Sequence, residues 1–500
     1  MFDLGRCSGI LLHPTSLPGP YGIGDLGPDA VRWLDLLHET GQRAWQVMPL
    51  GPTGFGDSPY QALSAFAGNP LLISPQRLTE AGLLPASALE GAPAFPADQL
   101  DYSAVIPWKH QLLRTSFDHF RRSAGHGPQQ AFEHFCQAEA GWLDDYALFM
   151  ALKARFNGQR WDLWPDEWRS SQPEALAVLD ESLRDEIRYH QYVQWLFSEQ
   201  WAEIRRQAHG RNIAIIGDLP IFVAYDSADV WAHPDLFCLD GERRPTLVAG
   251  VPPDYFSPEG QLWGNPLYDW DRLVETGFHW WVERFRRLLQ MVDIIRIDHF
   301  RGFQACWAVP AGAESARGGQ WIEVPGDALF ASLRDALGDL PVIAEDLGLI
   351  TPEVEALRDR WGFPGMKVLQ FAFGDGADHP YLPHNHVPHC VVYTGTHDND
   401  TTLGWYRTAP PEVQDHVRRY FDRDGSDVAW DLIRAALSSV AEMAIIPMQD
   451  VMALGSEARM NTPGRSSGNW TWRFRWEQIE PWMTERLRSM TQLYGRFPST

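Results

Sequence analysis

Eight short apolar runs, rich in β-branched residues and several of them ending abruptly in charge, recur along the chain and limit the folds open to it. They cover 9–13, 44–50, 212–220, 292–298, 341–348, 366–371, 390–400 and 444–450. Helical periodicity, as in 280–291 and 326–337, separates most of them. Strands apolar on both faces belong in a parallel sheet covered by helices. Eight such strands alternating with helices predict an α/β fold, a (β/α)8 TIM barrel with inserted, mainly helical subdomains. A doubly wound sheet is the alternative. The expected layout places barrel strands 1 and 2 in 1–69, an inserted helical subdomain in 70–206 and strand 3 in 207–225. An aromatic loop insertion covering the cleft follows in 226–275, and the remainder of the barrel in 276–500.

Five hundred residues exceed an ordinary single domain, so a large barrel with insertions, or two to three domains, is the size expectation. A hydrophobic fraction of 44% is enough to fill an extensive core. The net charge of −23, without clustered Lys and Arg, argues against nucleic acid or an anionic membrane as partner and favours a neutral substrate. Five scattered cysteines with no CxxC pair suit reduced thiols. With no secretory leader pattern and no membrane-length apolar run, the expected location is cytoplasmic, and the Asn469-Trp470-Thr471 glycosylation pattern carries no weight there. The 23 tryptophans are compatible with stacking on sugar rings, although most would fill a core. Gly22-Ile23-Gly24-Asp25-Leu26-Gly27 spells GxGxxG, but a proline-rich loop separates it from the preceding strand, which disfavours a dinucleotide site.

In a barrel the carboxyl ends of all strands open on one face, so Asp218, Arg296, Asp298, Glu345, His397 and Asp398 would converge. Metal chemistry is disfavoured because no HxH or HExxH spacing occurs, and no metal or cofactor is expected. No GxSxG and no Cys-His signature supports a Ser or Cys nucleophile. Glycosyl transfer needs one carboxylate kept anionic and one carboxyl kept protonated. Arg296, two residues before Asp298 on the same strand face, keeps Asp298 ionised. Glu345 follows the apolar Val342-Ile343-Ala344, the setting that raises a carboxyl pKa.

The ordered blocks Leu11-Leu12-His13-Pro14-Thr15-Ser16-Leu17-Pro18, Asp57-Ser58-Pro59-Tyr60, Gly217-Asp218-Leu219-Pro220, Trp263-Gly264-Asn265-Pro266, Arg296-Ile297-Asp298-His299-Phe300-Arg301-Gly302, Ala344-Glu345-Asp346-Leu347-Gly348 and Thr394-Gly395-Thr396-His397-Asp398-Asn399 carry a family likeness. The chain resembles the 4-α-glucanotransferases, or amylomaltases, of glycoside hydrolase family 77 from about Gly9 to about Trp472. The resemblance implies a retaining double displacement with Asp298 as nucleophile and Glu345 as general acid/base. Asp398 would bind substrate hydroxyls and strain the ring, beside His397, another hydroxyl binder. Asp218 would be the supporting acid and Arg296 the holder of the nucleophile. His299 is grouped with the substrate binders, and Tyr60 would be the aromatic platform beneath the sugar being cleaved. Phe256, Gln261 and Trp263 would lie on a loop over the acceptor side, and Asn469 and Trp470 on a late loop of the donor side. Phe55 departs from the Tyr of some members, which bears on any secondary glucan site needing that hydroxyl.

The implied reaction moves a segment of an α-1,4-glucan donor to the 4-OH of a glucose or maltooligosaccharide acceptor, with ring closure as a variant. An α-glucan hydrolase and a non-catalytic glucan-binding protein are the alternatives. The composition of 255–263 suits a lid that excludes water and favours transfer, or a plain insertion packed on the barrel. The expected assembly is a monomer or weak homo-oligomer.

Overall fold

A computed structural model describes residues 4–170, 180–253 and 258–498. Among these residues twelve strands form: β1 (Cys7–Leu11), β2 (Ala44–Gln46), β3 (Ala214–Pro220), β4 (Leu247–Val251), β5 (Gln261–Pro266), β6 (Ile294–Asp298), β7 (Ala305–Pro310), β8 (Gln320–Glu323), β9 (Val342–Ala344), β10 (Gly365–Val368), β11 (Cys390–Tyr393) and β12 (Met443–Pro447). Eight of them close a barrel in the order β1-β12-β11-β10-β9-β6-β3-β2, and every neighbouring pair is parallel. The predicted barrel is the fold found, and the doubly wound alternative falls because β1 pairs with both β2 and β12.

The alternation of strand side chains explains why these runs are apolar throughout. Ala214, Ile216, Val391 and Ile445 point into the barrel with Leu11, Met366 and Val368, whereas Ile215, Val392 and Ile446 belong to the larger core between barrel and helices. Ile295 and Ile297 of β6 also face that outer core, which leaves Arg296 and Asp298 on the inner face. Seven tryptophans, among them Trp33, Trp45 and Trp281, are fully buried, so much of the tryptophan surplus fills the core.

An α-helix covers seven of the eight strand-to-strand units, including Pro28–Glu39, Glu181–His209, His279–Met291 and Gly326–Leu337. Between β10 and β11 only 3-10 turns form, because Pro380, Pro383 and Pro388 interrupt the stretch. Between β2 and β3 lie the helices Tyr102–Ser123, His126–Ala138 and Ala140–Arg155, packed on Glu181–His209. The Asp180 side chain caps that last helix by accepting from the Leu183 N–H at 2.8 Å. Trp201, farther along it, donates its indole N–H to the Met291 carbonyl at 2.8 Å and fastens the helix to the barrel wall.

The aromatic stretch expected as a loop over 226–275 contains strands. β4 and β5 form an antiparallel sheet that continues into β7 and β8, which follow β6, in the order β5-β4-β7-β8. The sheet is therefore contributed by two separate excursions from the barrel, and its mixed burial hid the strand period. The segments around Cys7 and Arg496 meet at the base of the barrel. Arg496 is fully buried and donates to the carbonyls of Cys7 (2.6 Å), Leu437 (2.7 Å) and Ala441 (2.8 Å). Among the described residues no helix is long and apolar enough to cross a membrane.

Candidate active site

The carboxyl ends of β3, β6 and β9 bring three acids together around one cation. Gly217 lets β3 run close to Val292, whose Cγ1 would lie 2.7 Å from an added Cβ, and Asp218 follows it into the barrel mouth. Arg296 Nη1 sits 2.7 and 2.8 Å from the two oxygens of Asp218 and 3.1 Å from Asp298 Oδ1. Both Asp218 and Arg296 are almost fully buried, while the Asp298 side chain keeps 28% of its surface open to the cleft. Burial alone would lower the Arg296 guanidinium, but Asp218 and Asp298 outweigh it and raise it well above its ordinary value.

Glu345 is placed by the turn that follows Asp298. His299 adopts a left-handed conformation (φ 56°, ψ 51°), which a non-glycine residue takes only when its surroundings enforce it. Its backbone N–H then donates to Glu345 Oε2 at 2.6 Å, while the Leu347 N–H donates to Glu345 Oε1 at 2.9 Å. Part of Glu345 faces the cleft, yet protein surrounds its carboxyl. Burial pushes the carboxyl up to about 8, with Asp298 adding to the effect and Arg296 and the two backbone donors opposing it. The same enclosure lowers the His299 imidazole to about 4, so it is neutral near neutral pH.

Tyr60, from the loop after β2, donates its hydroxyl to Asp218 Oδ2 at 2.8 Å and stacks on His397 with ring centroids 4.9 Å apart and planes at 17°. Trp470 packs against both rings, at 5.8 Å from Tyr60 and 6.0 Å from His397. Burial and the Asp218 carboxylate raise the Tyr60 phenol well above its ordinary value, so it remains a donor. Asp398 follows His397, with its Oδ1 3.4 Å from His397 Nε2, and its side chain is 47% exposed. On the opposite side Trp263 of β5 meets the His299 ring edge-on at 4.8 Å, and its indole N–H donates to Gln261 Oε1 at 3.2 Å.

The sequence-predicted residues Tyr60, Asp218, Arg296, Asp298, His299, Glu345, His397, Asp398, Trp263 and Trp470 thus form one connected set. Gln261 is exposed and accepts a hydrogen bond from Trp263, through which it joins that set. The Asn469 side chain is committed within its own loop, accepting from the Thr462 N–H and donating to the Arg465 carbonyl. Phe256, with Tyr255 at the start of the expected lid, lies outside the described residues. Phe55 is 78% exposed. Among the described residues no group of three or more His, Cys, Asp or Glu side chains could hold a metal ion.

Sequence reasoning missed several supporting residues. Tyr393 of β11 donates its hydroxyl to Gln46 Oε1 of β2 at 2.8 Å, both buried inside the barrel beneath Arg296. The lone Gln46 in an apolar strand was the visible signal for that pair. Asn461 and Arg459 bind Asp398, but they come from an irregular stretch after β12 whose composition carries no pattern.

Two carboxyl groups in one cleft, one hydrogen-bonded to a guanidinium and the other holding its proton to about 8, can attack and protonate opposite ends of a glycosidic bond. Comparison with known proteins agrees with that chemistry. The Glyco_hydro_77 family profile, described as 4-alpha-glucanotransferase, matches residues 12–479. The chain is 53% identical to the 4-alpha-glucanotransferase of Thermus thermophilus, covering 99% of this chain and 100% of that one. It is 52% identical to the Synechocystis 4-alpha-glucanotransferase, covering 98% of each. The solved amylomaltase of Streptococcus agalactiae in complex with acarbose superposes with a TM-score of 0.95 at 38% identity, covering 99% of this chain and 100% of that one. The chain belongs to glycoside hydrolase family 77, the 4-α-glucanotransferases.

Proposed function

We propose that Asp298 is the nucleophile and Glu345 the general acid/base of a retaining transfer between α-1,4-glucans. The observation that carries this assignment is the Glu345 carboxyl, pushed up to about 8 in the cleft it shares with the Arg296-bonded Asp298. In the first step Asp298 attacks C1 of the donor while Glu345 gives its proton to the departing 4-oxygen. The anomeric C–O bond breaks and a β-glucosyl ester forms on Asp298. The Glu345 carboxylate left behind is stabilised by the N–H groups of His299 and Leu347. In the second step Glu345 takes the proton from an acceptor 4-OH, whose oxygen displaces Asp298 and restores the α-linkage.

The remaining residues bind and orient the sugar. Tyr60, stacked on His397 and anchored to Asp218, supplies the aromatic platform at the cleaved sugar, and His299, packed against Trp263, is a neutral hydroxyl binder. Asp398 and His397 take ring hydroxyls, Trp470 lines the donor side, and Trp263 the acceptor side. Phe256, Gln261 and Asn469 are assigned to substrate binding by resemblance alone. Ring closure is the same transfer with the donor's own free end as acceptor. The enzyme acts in the cytoplasm as a monomer or weak homo-oligomer on a maltooligosaccharide or starch-like donor with glucose or a maltooligosaccharide as acceptor.

Incubation with maltotriose tests the reading. A ladder of longer oligosaccharides with free glucose is expected, whereas maltose and glucose without longer products would identify a hydrolase.

A further inference from the structure

We infer that Asn461 is a positioning residue that sets the orientation of the Asp398 carboxylate and ties it to the loop bearing Trp470. Nothing in the double displacement itself calls on this side chain, and the inference rests on Asp398 belonging to the reacting site.

The geometry is a clamp of four bonds, one between two side chains and three that end on backbone carbonyls. Asn461 Nδ2 donates to Asp398 Oδ1 at 2.6 Å, and the Asn461 backbone N–H donates to the His397 carbonyl at 3.2 Å. Arg459 spans the two segments, giving Nη2 to the Asp398 carbonyl at 2.6 Å and Nε to the Asn461 carbonyl at 2.7 Å. His397 and Asp398 are thereby held by residues more than sixty positions later in the chain.

Asp398 needs such a partner because its own strand does not fix it. β11 ends at Tyr393, and the segment carrying Asp398 is a loop. A half-exposed Asp turns freely about its side-chain bonds unless something restrains it, and a charge-assisted hydrogen bond this short is a strong restraint. The same clamp continues into the donor side. The Trp470 N–H donates to the Met460 carbonyl at 2.8 Å, so the loop 460–470 is closed at the residue adjoining Asn461. Trp470 in turn packs on His397. The Asn461 amide is the link from this loop to the Asp398 carboxylate itself, whereas the other three bonds end on backbone carbonyls.

The groups facing the Asp398 carboxylate are the Asn461 amide, His397 and, electrostatically, Tyr60, with the Arg459 guanidinium on the backbone behind it. Asn461→Ala removes the donor and leaves the backbone bonds. The expected result is a kcat on maltotriose lower by about 10- to 100-fold, the worth of a hydrogen bond to a charged group, with KM changed by less than about threefold. Asn461→Asp keeps the shape but sets two carboxylates in contact, which share a hydrogen bond only while one holds a proton. Its kcat relative to Asn461→Ala at each pH should therefore rise as pH falls, and ionisations common to both variants cancel in that ratio. Full kcat in Asn461→Ala overturns the inference, as does Asn461→Asp matching the unaltered enzyme near neutral pH, a result readable even if the Ala variant fails to fold. Asp398→Asn serves as the reference. If it keeps full turnover, the reading of the site fails, whereas an inactive Asp398→Asn beside a fully active Asn461→Ala sinks the positioning role alone.

Discussion

His299 gives its backbone N–H to Glu345 Oε2 across 2.6 Å from a left-handed turn, so the residue next to Asp298 positions the opposing acid. The two residues are consequently linked through the peptide unit that joins Asp298 to His299.

The first consequence concerns pH. As the proposed general acid, Glu345 has to hold its proton when the donor binds, and its carboxyl is pushed up to about 8. The profile of kcat/KM on maltotriose should therefore fall on the alkaline side with an apparent pKa near that value. A kcat/KM still level well above pH 8 would remove Glu345 from the role of acid.

The same shift has a stability cost of definite sign. Folding raises the Glu345 pKa from 4.5 to about 8, so its contribution to stability is greatest below pH 4.5 and is lost as pH rises to about 8, where the loss levels off. Glu345→Gln escapes that loss, although its amide meets two N–H donors and costs about 1–3 kcal/mol for the donor left unpaired. The Tm of the variant should therefore gain on that of the unaltered protein across this window. A Tm difference independent of pH would contradict the assignment.

Arg296 neutralises an Asp218 that has almost no contact with solvent. Arg296→Met leaves that carboxylate buried with the Tyr60 hydroxyl as its hydrogen-bond donor among the described residues, and removing one member of such a pair costs about 3–5 kcal/mol. Urea unfolding should show the loss, and adding Asp218→Asn should recover part of it. An unchanged midpoint would mean that Tyr60 suffices for Asp218.

Asp298→Ala should abolish transfer while leaving room beside Arg296 for a small anion. With an α-glucosyl fluoride, whose leaving group needs no protonation, added azide should restore turnover and give the β-glucosyl azide, read by the anomeric proton in NMR. Formation of the α-azide would place the attack on the wrong face for Asp298.

Much of this site was legible because barrel topology converts strand ends into neighbours. Asp298 and Glu345 sit at or just beyond the carboxyl ends of β6 and β9, and Asp218 and Arg296 lie two residues before the ends of β3 and β6, all on strands whose apolar period is plain in the sequence, so their convergence followed from the fold. The strands β4, β5, β7 and β8 escaped notice because their burial is mixed and two of them pair across β6, at a separation no local window spans. Asn461 was invisible for a related reason: its role depends on a loop returning to Asp398, and loops carry no period. The left-handed turn at His299 left no trace either, since nothing in a histidine announces a positive φ. The missing helix between β10 and β11 was written in its prolines, which overrule the alternation seen elsewhere.

Closure of the barrel by β1 against β12, locked by Arg496 on the Cys7 carbonyl, fixes when during synthesis the enzyme can come into being. The ring lacks its last stave until residues 443–447 have left the ribosome, so earlier portions must wait with unsatisfied strand edges. A nascent chain halted before residue 443 would carry Asp298 and Glu345 yet have no closed vessel in which they could meet a sugar.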